Sequence, residues 1–259
     1  DWSSDVCSSD LRGVTFAYDK RQPAVRGLNF SALPGQTIAL VGPTGAGKST
    51  ALALLHRTFD PQSGAITIDG TDIRDMTLTA LRRNIGVVFQ EGLLFNRSIS
   101  ENLKIGKPDA SEAELWQALE IAQAAGFVAT MPGQLDAPIT QGGANVSGGQ
   151  RQRLTIARAL VHHPRLYLFD DAFSALDYQT DAQLRAALAE RTAGATVLIV
   201  SQRVSTIRHA DAIIVLDEGE LAGMGAHEEL MRTCPTYQEV VLSQLTAEES
   251  AYTVAGGAQ

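Results

Sequence analysis

Residues 42–50 read GPTGAGKST and lie between the apolar run TIALV and the helix-like run ALALLHRTF. This spacing matches the pattern G-x-x-x-x-G-K-[ST] in the strand–loop–helix context that the pattern requires. Gly42, Gly45 and Gly47 allow tight backbone turns that point N–H groups at phosphates at the start of a helix. An ordinary glycine-rich turn with an incidental lysine is the alternative. The motif predicts a nucleoside triphosphate site, but it does not distinguish a kinase from a GTPase or a transport motor.

The residue types in this loop suggest individual roles. The ammonium group of Lys48 is expected between the β- and γ-phosphates, and the hydroxyl of Ser49 is expected to bind Mg²⁺. The loop residues expected to contact the nucleotide are Gly42, Pro43, Thr44, Gly45, Ala46, Gly47, Lys48, Ser49 and Thr50. The predicted ligand is therefore a magnesium-bound triphosphate.

Short apolar segments alternate with helix-like segments along the rest of the chain. The predicted strands are residues 14–18, 37–42, 65–70, 85–90, 165–170, 195–201 and 212–219. Several are continuously apolar and β-branched, as is typical of a parallel sheet covered on both faces. Residues 109–131 are predicted to be largely helical, and residues 151–163 to form another helix. The pattern predicts an α/β fold with a mainly parallel sheet.

The composition limits the partners and the setting of the chain. Its 259 residues carry a net charge of −8, which argues against a nucleic-acid partner because such partners normally require a basic face. The longest apolar runs have the length of buried strands and are far shorter than the roughly 20 residues that cross a bilayer. Cys7 and Cys234 form no disulfide or metal-binding pattern. We therefore expect no membrane span in the chain as given, and a reducing, cytoplasmic setting.

The first eleven residues, DWSSDVCSSDL, stop abruptly before the strand-like RGVTFAY. Their codons can be written so that they match a common sequencing adaptor in one reading frame, and they lack the basic start and apolar stretch of a secretory signal. We therefore expect residues 1–11 to be a disordered sequencing-adaptor artefact, and the native gene to continue upstream. A disordered native leader is the alternative. Residues 247–259 are expected to form a flexible tail.

A second motif, VSGGQRQRLTIARAL, begins at Val146. Ser147, Gly148 and Gly149 open a predicted helix and so form another anion-binding helix N-terminus. One nucleotide rarely needs two such sites from a single chain, so the second is expected to contact a nucleotide held by a partner subunit. Here the chain resembles the nucleotide-binding domain of an ATP-binding cassette (ABC) transporter, because residues 146–150 match the signature sequence of that family.

The resemblance covers roughly residues 12–246 and implies further roles. Tyr18 resembles the aromatic residue that stacks on adenine, Gln90 the glutamine that contacts Mg²⁺ and water, and Asp170 the acidic end of the second phosphate motif. The implied metal ligands are Ser49, Gln90 and Asp170. The residues implied to contact the nucleotide outside the phosphate loop are Tyr18, Ser147, Gly148, Gly149, Gln150, Asp170 and Asp177. The implied cofactors are ATP and Mg²⁺.

The resemblance also implies an architecture. The expected fold is a P-loop NTPase (RecA-like) core with an N-terminal antiparallel β subdomain and an α-helical subdomain inserted at about residues 91–160. Residues 174–177 match a loop that crosses the dimer interface of the family. Residues 92–106, GLLFNRSISENLKIG, narrow the resemblance to exporters, whose membrane helices are fused upstream of such a domain. The implied intact protein thus has a transmembrane domain that is missing here, and this domain lies at the cytoplasmic face of the inner membrane.

Two positions depart from the family pattern. The residue after Asp170 is usually a glutamate that polarises the attacking water, and here it is Asp171, which is shorter by about 1.5 Å. A displacement of about 1 Å at a reacting centre can lower the rate on the order of 10²-fold. Where the family has a histidine before Arg203, this chain has Gln202, which cannot carry an imidazolium charge or transfer a proton. The candidate catalytic residues Gln90, Asp171 and Gln202 thus indicate a site that binds Mg-ATP and hydrolyses it slowly.

This combination resembles one half of the heterodimeric multidrug exporters, in which one of two ATP sites is degenerate. Residues 139–145, ITQGGAN, fit the same subfamily. The resemblance implies a different half-transporter as partner, a head-to-tail dimer, and export of a small, drug-like substrate, with no nucleic-acid partner. One alternative is a homodimeric exporter in which Asp171 is an adequate base, so that the chain would export or hydrolyse without a second gene product. The other is a soluble ABC module acting on DNA or the ribosome, which would normally carry two cassettes or long inserted arms.

Overall fold

The computed structural model describes residues 8–19, 22–192, 194–201 and 203–244. These residues form two compact units. One unit contains residues 8–75 and 198–244 and is called the phosphate-loop unit, after the motif at 42–50. The other contains residues 76–197 and is called the signature unit, after the motif at 146–150.

Strands and helices alternate along the described chain. The strands are β1 (Ser9–Phe16), β2 (Val25–Ala32), β3 (Thr37–Val41), β4 (Ser63–Ile68), β5 (Thr71–Asp72), β6 (Ile85–Val88), β7 (Leu166–Asp170), β8 (Thr196–Val200), β9 (Ala212–Asp217) and β10 (Glu220–Gly225). The helices are α1 (Lys48–Leu55), α2 (Leu78–Arg83), α3 (Ile99–Leu103), α4 (Glu112–Ile121), α5 (Ala125–Thr130), α6 (Gly148–Leu160), α7 (Tyr178–Arg191), α8 (Val204–Ile207) and α9 (His227–Thr233). The predicted α/β class is confirmed.

The phosphate-loop unit contains an antiparallel sheet and a group of mixed strands. The antiparallel sheet has the order β2-β1-β4-β5. In the other group, β3 is parallel to β9, and β9 is antiparallel to β10. Ile38, Leu40 and Ile214 of β3 and β9 are fully buried, as expected for strands that are apolar along their length. The predicted N-terminal antiparallel subdomain and the parallel pairing of the core are both confirmed.

The disorder predicted for residues 1–11 is wrong for residues 8–11. β1 begins at Ser9, and its first three residues pair with both β2 and β4. Ser9 and Leu11 are fully buried because they continue the inward-facing side of the strand. Residues 1–7 lie outside the described residues, and the adaptor origin of the segment stays a prediction.

The signature unit combines a parallel strand pair with several short helices. β6 and β7 are parallel, and α4 and α5 lie within the segment 109–131 that was predicted to be largely helical. α3, α4 and α6 each begin with a capping box, in which a serine and a glutamate or glutamine three residues later exchange hydrogen bonds. The helix predicted at 151–163 therefore begins at its capped end, Gly148, and ends at Leu160. None of the helices in the described part of the chain has the length and apolar character of a bilayer span.

The start of α4 predicts a pH-dependent contribution to stability. The Glu114 carboxylate pairs with the Lys107 ammonium group and accepts hydrogen bonds of 2.8 and 2.9 Å from the backbone N–H and hydroxyl of Ser111. The pair with Lys107, followed by the bonds from Ser111, lowers the pKa of Glu114 from 4.5 to about 2. A lowered pKa stabilises the fold above pH 4.5, and this stabilisation disappears as the pH falls towards 2.

Glu114→Gln should therefore make the melting temperature less sensitive to acid. We expect a smaller fall between pH 5 and pH 3 for this variant than for the wild type, as measured by circular dichroism. Lys107→Met is the matched variant, because it removes the largest cause of the lowered pKa. It should flatten the pH dependence in the same way. If the melting temperature of both variants falls with pH as steeply as that of the wild type, the Glu114 carboxylate does not cause the acid sensitivity.

Candidate nucleotide-binding site

The phosphate loop leaves β3 and enters α1 through a backbone that only glycine can adopt at two positions. Gly42 has φ +143°, and a Cβ atom there would lie 2.0 Å from the carbonyl oxygen of Leu216. Gly47 has φ +94°, and a Cβ atom there would lie 2.4 Å from the carbonyl oxygen of Ala24. Both close contacts are with backbone atoms, which cannot move aside as a side chain could. These two glycines therefore fix the curvature of the loop.

Lys48 lies against the loop that it follows. Its side chain is 8% exposed, and its Nζ atom donates hydrogen bonds of 2.8 Å to the Gly42 carbonyl oxygen and 2.7 Å to the Pro43 carbonyl oxygen. A triphosphate oxygen is a stronger acceptor for an ammonium group than a neutral carbonyl. The lysine is thus held at the loop in a position from which it can exchange carbonyl oxygens for phosphate oxygens.

The mouth of the loop is open to solvent. Pro43, Thr44 and Ser49 are exposed. A cleft of about 480 Å³ borders the loop within the phosphate-loop unit; its lining residues are Gln22, Pro23, Ala24, Pro43, Thr44, Gly45, Ala46, Asp217 and Glu218. The predicted loop residues thus border an accessible concave surface, as a phosphate site requires.

Tyr18 lies near the start of α1 and presents an aromatic ring to solvent. The residue is 62% exposed, and its hydroxyl is hydrogen bonded to the Thr50 hydroxyl, with 3.2 Å between the oxygens. The structure therefore brings the predicted adenine-stacking residue into contact with the predicted phosphate-binding segment. An exposed aromatic face at this place can stack on a base.

In the signature unit, Asp170 and Asp171 follow the strand β7. Asp170 is 9% exposed at the end of the strand. Asp171 adopts a left-handed backbone conformation, with φ +47°. Aspartate is enriched several-fold in this conformation. The backbone at this position therefore accommodates aspartate readily, and Glu218 adopts a similar conformation in the same chain, with φ +45°.

The signature motif begins α6 with a capping box. The Ser147 hydroxyl accepts a hydrogen bond from the Gln150 backbone N–H at 3.2 Å, and the Gln150 side-chain oxygen accepts one from the Ser147 backbone N–H at 2.9 Å. Ser147 and Gly148 remain exposed. The N-terminus of this 13-residue helix thus faces solvent, and the N–H groups of Gly148 and Gly149 lie outside the capping hydrogen bonds, as an anion-binding surface requires.

Gln152 is a structural residue of the site that the sequence reasoning missed. Its side chain is 5% exposed and contacts the 174–177 loop: Nε2 donates to the Ser174 hydroxyl at 3.4 Å, and Oε1 accepts from the Ala175 N–H at 3.0 Å. Gln152 lies one helical turn after Gly148, so helical spacing places both on one side of α6. That spacing is the sequence signal that could have identified it.

Asp177 caps the helix α7 at the end of the same loop. Its carboxylate accepts hydrogen bonds of 2.9 Å from the Thr180 backbone N–H and 2.7 Å from the Thr180 hydroxyl. These hydrogen bonds lower the pKa of Asp177 below its ordinary value. The side chain therefore stabilises the loop that contains it, which leaves its predicted contact with a nucleotide as a prediction.

Gln90 is exposed two residues after β6. It borders a second cleft of about 480 Å³ in the signature unit; the lining residues include Gly92, Gly148, Gln152 and Ala175. The structure thus brings Gln90 together with the signature helix and the 174–177 loop. Gln202 lies outside the described residues, so its predicted role rests on the sequence alone.

The predicted magnesium ligands suit that ion by their chemistry. Ser49, Gln90 and Asp170 supply hydroxyl, amide and carboxylate oxygens, and Mg²⁺ prefers oxygen ligands. Within the described ranges, no group of three or more His, Cys, Asp or Glu side chains could hold a metal ion. Mg²⁺ is commonly held by one or two protein groups together with substrate phosphates. The residues present therefore fit a magnesium ion that arrives with a nucleotide.

Comparison with known proteins identifies the class. Residues 25–174 match the family model described as ABC transporter, which is more than half of the chain. The chain belongs to the ABC transporter family. Its fold resembles that of a bacterial Atm1-family ABC exporter with ATP bound, with a TM-score of 0.89 and 40% sequence identity over 92% of this chain and 42% of that chain.

Several of the curated relatives are named as glucan exporters. The chain is 52% identical over 242 residues to the Beta-(1→2)glucan export ATP-binding/permease protein NdvA of Bradyrhizobium diazoefficiens, covering 93% of this chain and 40% of that protein. It is 52% identical over 238 residues to the protein of the same name from Rhodopseudomonas palustris. The chain therefore spans about two fifths of the length of these relatives. The chain is an ATP-binding domain of the ABC exporter type.

Proposed function

We propose that this chain binds Mg-ATP at its own phosphate loop and drives export by a longer protein whose transmembrane domain is fused upstream. The observation that carries the proposal is Lys48, held across the loop by the carbonyl oxygens of Gly42 and Pro43. On nucleotide binding, the lysine would exchange these acceptors for phosphate oxygens, and the loop N–H groups would surround the phosphates. The Ser49 hydroxyl would be one ligand of the magnesium ion, which when bound would offset negative charge on the phosphates.

We propose a head-to-tail dimer as the working assembly. The exposed start of α6 supports this proposal, because the capping box leaves the N–H groups of Gly148 and Gly149 for the terminal phosphate of a nucleotide bound by a partner cassette. The contacts of Gln152 with the 174–177 loop would hold that loop beside the helix on the partner-facing surface. The test is to place one cysteine at position 147 and another in the phosphate loop of the partner cassette. Cross-linking that depends on ATP would support the arrangement, and cross-linking independent of nucleotide would contradict it.

We further propose that the ATP site containing Asp171 and Gln202 hydrolyses slowly and that a different half-transporter supplies the competent site. The shorter carboxylate and the missing imidazole support this asymmetry. A homodimeric exporter with Asp171 as an adequate base is the competing proposal. Co-purification of the intact protein from its native cells distinguishes the two, because the heterodimer requires a second, non-identical ABC subunit in the complex.

The exported substrate has two candidates. The subfamily resemblance favours a small, drug-like compound, whereas the names of the relatives at 52% identity favour a β-glucan. We propose the glucan as the better supported candidate, and the cytoplasmic face of the inner membrane as the location of the domain. Uptake of each substrate into inverted vesicles containing the complete gene product would decide, and ATP-dependent uptake of drugs alone would reverse the preference.

The nucleotide proposal is tested by the affinity of the purified chain for Mg-ATP. Lys48→Ala removes hydrogen bonds from a charged donor, which are worth about 1.5–3 kcal/mol each, so the dissociation constant should rise by about 10-fold or more. Lys104→Ala, in the signature unit, is the matched control for the loss of one positive charge and should bind as the wild type does. Equal affinities for Lys48→Ala and the wild type, by isothermal titration calorimetry, would refute the proposed site.

A further inference from the structure

Three aromatic rings meet at the end of β1. The ring of Tyr18 lies 5.1 Å from that of Phe16 and 5.4 Å from that of Phe59, with interplanar angles of 87° and 89°. Phe16 and Phe59 also contact each other at 5.2 Å. Perpendicular contacts of this kind restrict how the Tyr18 ring can turn. Phe59 comes from a different segment, after α1, and so connects the ring to a second part of the unit.

The segment that carries Phe59 also holds the backbone next to Tyr18. The Gln62 side chain accepts a 3.0 Å hydrogen bond from the Ala17 N–H and donates a 2.9 Å hydrogen bond to the Ala17 carbonyl oxygen. Residues 59–62, FDPQ, therefore contact both the ring of Tyr18 and the backbone of the residue before it. We call this segment the 59–62 loop.

The 59–62 loop is itself attached firmly. Its Asp60 carboxylate accepts a 2.9 Å hydrogen bond from Nε of Arg57, whose guanidinium group also donates a 2.8 Å hydrogen bond to the Ile73 carbonyl oxygen. The Gln62 N–H donates to the Thr15 carbonyl oxygen at 2.9 Å. A loop held in this way can determine the position of whatever packs against it.

The far end of the Tyr18 ring is fixed to the phosphate-binding segment. Its hydroxyl is hydrogen bonded to that of Thr50, which is 7% exposed and is the third residue of α1. Ring contacts, backbone contacts and this hydrogen bond together define the distance between the aromatic face and the phosphate loop. An aromatic ring positioned before the ligand arrives loses less conformational freedom on binding.

We propose that Phe59, Gln62 and Thr50 are positioning residues that hold Tyr18 at the place where the adenine ring stacks, so that the base site is set at a fixed distance from the phosphate loop. The proposal rests on the proposed function, because it concerns the same nucleotide. It predicts that disturbing the contacts of the Tyr18 ring weakens binding of ATP but not of a triphosphate without a base. Loss of the phosphate site itself would weaken both.

The experiment compares Mg-ATP with magnesium tripolyphosphate as probes, by isothermal titration calorimetry on the purified chain. Tyr18→Phe removes one hydroxyl from an exposed ring, and it should raise the dissociation constant of ATP about 3–10-fold, as expected for one lost hydrogen bond. The dissociation constant of tripolyphosphate should not change. Phe59→Leu should produce the same selective loss. Tyr178→Phe, which removes a hydroxyl from an exposed tyrosine in the signature unit, is the matched control and should change neither value.

A double-mutant cycle tests the hydrogen bond directly. With Thr50→Val already in place, adding Tyr18→Phe should weaken ATP binding no further, because the partner hydroxyl is absent. Thr50→Ser should retain the coupling. The proposal is overturned if Tyr18→Phe leaves the affinity for ATP unchanged or lowers the affinity for both probes equally. It is also overturned if Tyr18→Phe weakens ATP binding further when Thr50→Val is already present. Wild-type chain that binds neither probe would instead refute the proposed function, and this inference with it.

Discussion

The double substitution Asp171→Glu with Gln202→His is expected to raise the rate of single-turnover ATP hydrolysis by about tenfold or more, since each replaces a group suited to binding by one suited to proton transfer. Glutamate extends the carboxylate by about 1.5 Å towards a water at the γ-phosphate. Histidine adds a group that can carry charge and exchange a proton near neutral pH. The measurement is rapid-quench hydrolysis with chain in excess over ATP.

The backbone at position 171 requires a control for folding. Asp171 has φ +47°, and a glutamate fits this left-handed conformation less well, so Asp171→Glu should also lower the melting temperature slightly. Asp171→Asn keeps the tolerance for this conformation but removes the charge, and it should abolish the residual hydrolysis. If the wild type already hydrolyses ATP at a rate that the double substitution does not improve, the site is competent and the homodimeric exporter is favoured.

Much of the fold was predictable because its signals are local. The strands β3 and β9 are mostly apolar along their length, so their residues alone indicated buried strands of a parallel sheet. The strand β2 was missed because its apolar alternation is interrupted at Arg26 and Gly27, which both stand between the buried Val25 and Leu28. The strand β10, ELAGMG, was missed because it is mostly exposed and rich in glycine, and only its pairing with β9 makes it a strand.

The candidate site was also predictable where its residues lie next to one another in the sequence. The residues predicted to bind phosphate lie consecutively at 42–50 and were identified by their spacing, and the signature residues lie consecutively at 146–150 and were identified by their resemblance to the family. The contacts of Gln152 with the 174–177 loop depend on how separate segments pack, and spacing could at most suggest them. The left-handed conformation of Asp171 is a property of the folded turn, in which the Asp171 carbonyl oxygen accepts a 2.8 Å hydrogen bond from the Ser174 hydroxyl. Sequence reasoning therefore explained that aspartate by chemistry alone.

Gly42→Ala is expected to destabilise the domain strongly and to abolish ATP binding. The added Cβ would lie 2.0 Å from the Leu216 carbonyl oxygen and 3.3 Å from the Ala46 side chain, at a backbone φ of +143°. Overpacking typically costs about 1–3 kcal/mol, and a strained backbone conformation about 1–3 kcal/mol more. Since about 1 kcal/mol shifts the melting temperature of a chain of this size by roughly 2–4 °C, a decrease of about 10 °C is expected.

Gly45→Ala separates steric contact from backbone conformation. Gly45 also has a positive φ, +85°, but a Cβ atom there would meet nothing within 4 Å. This variant should therefore show only the conformational cost of about 1 kcal/mol and a decrease of roughly 2–4 °C. Differential scanning fluorimetry of both variants, with and without Mg-ATP, measures the two effects together. If both melting temperatures fall equally, the stability of the loop depends on the backbone conformation of its glycines and not on the close approach of Gly42 to the β9 backbone.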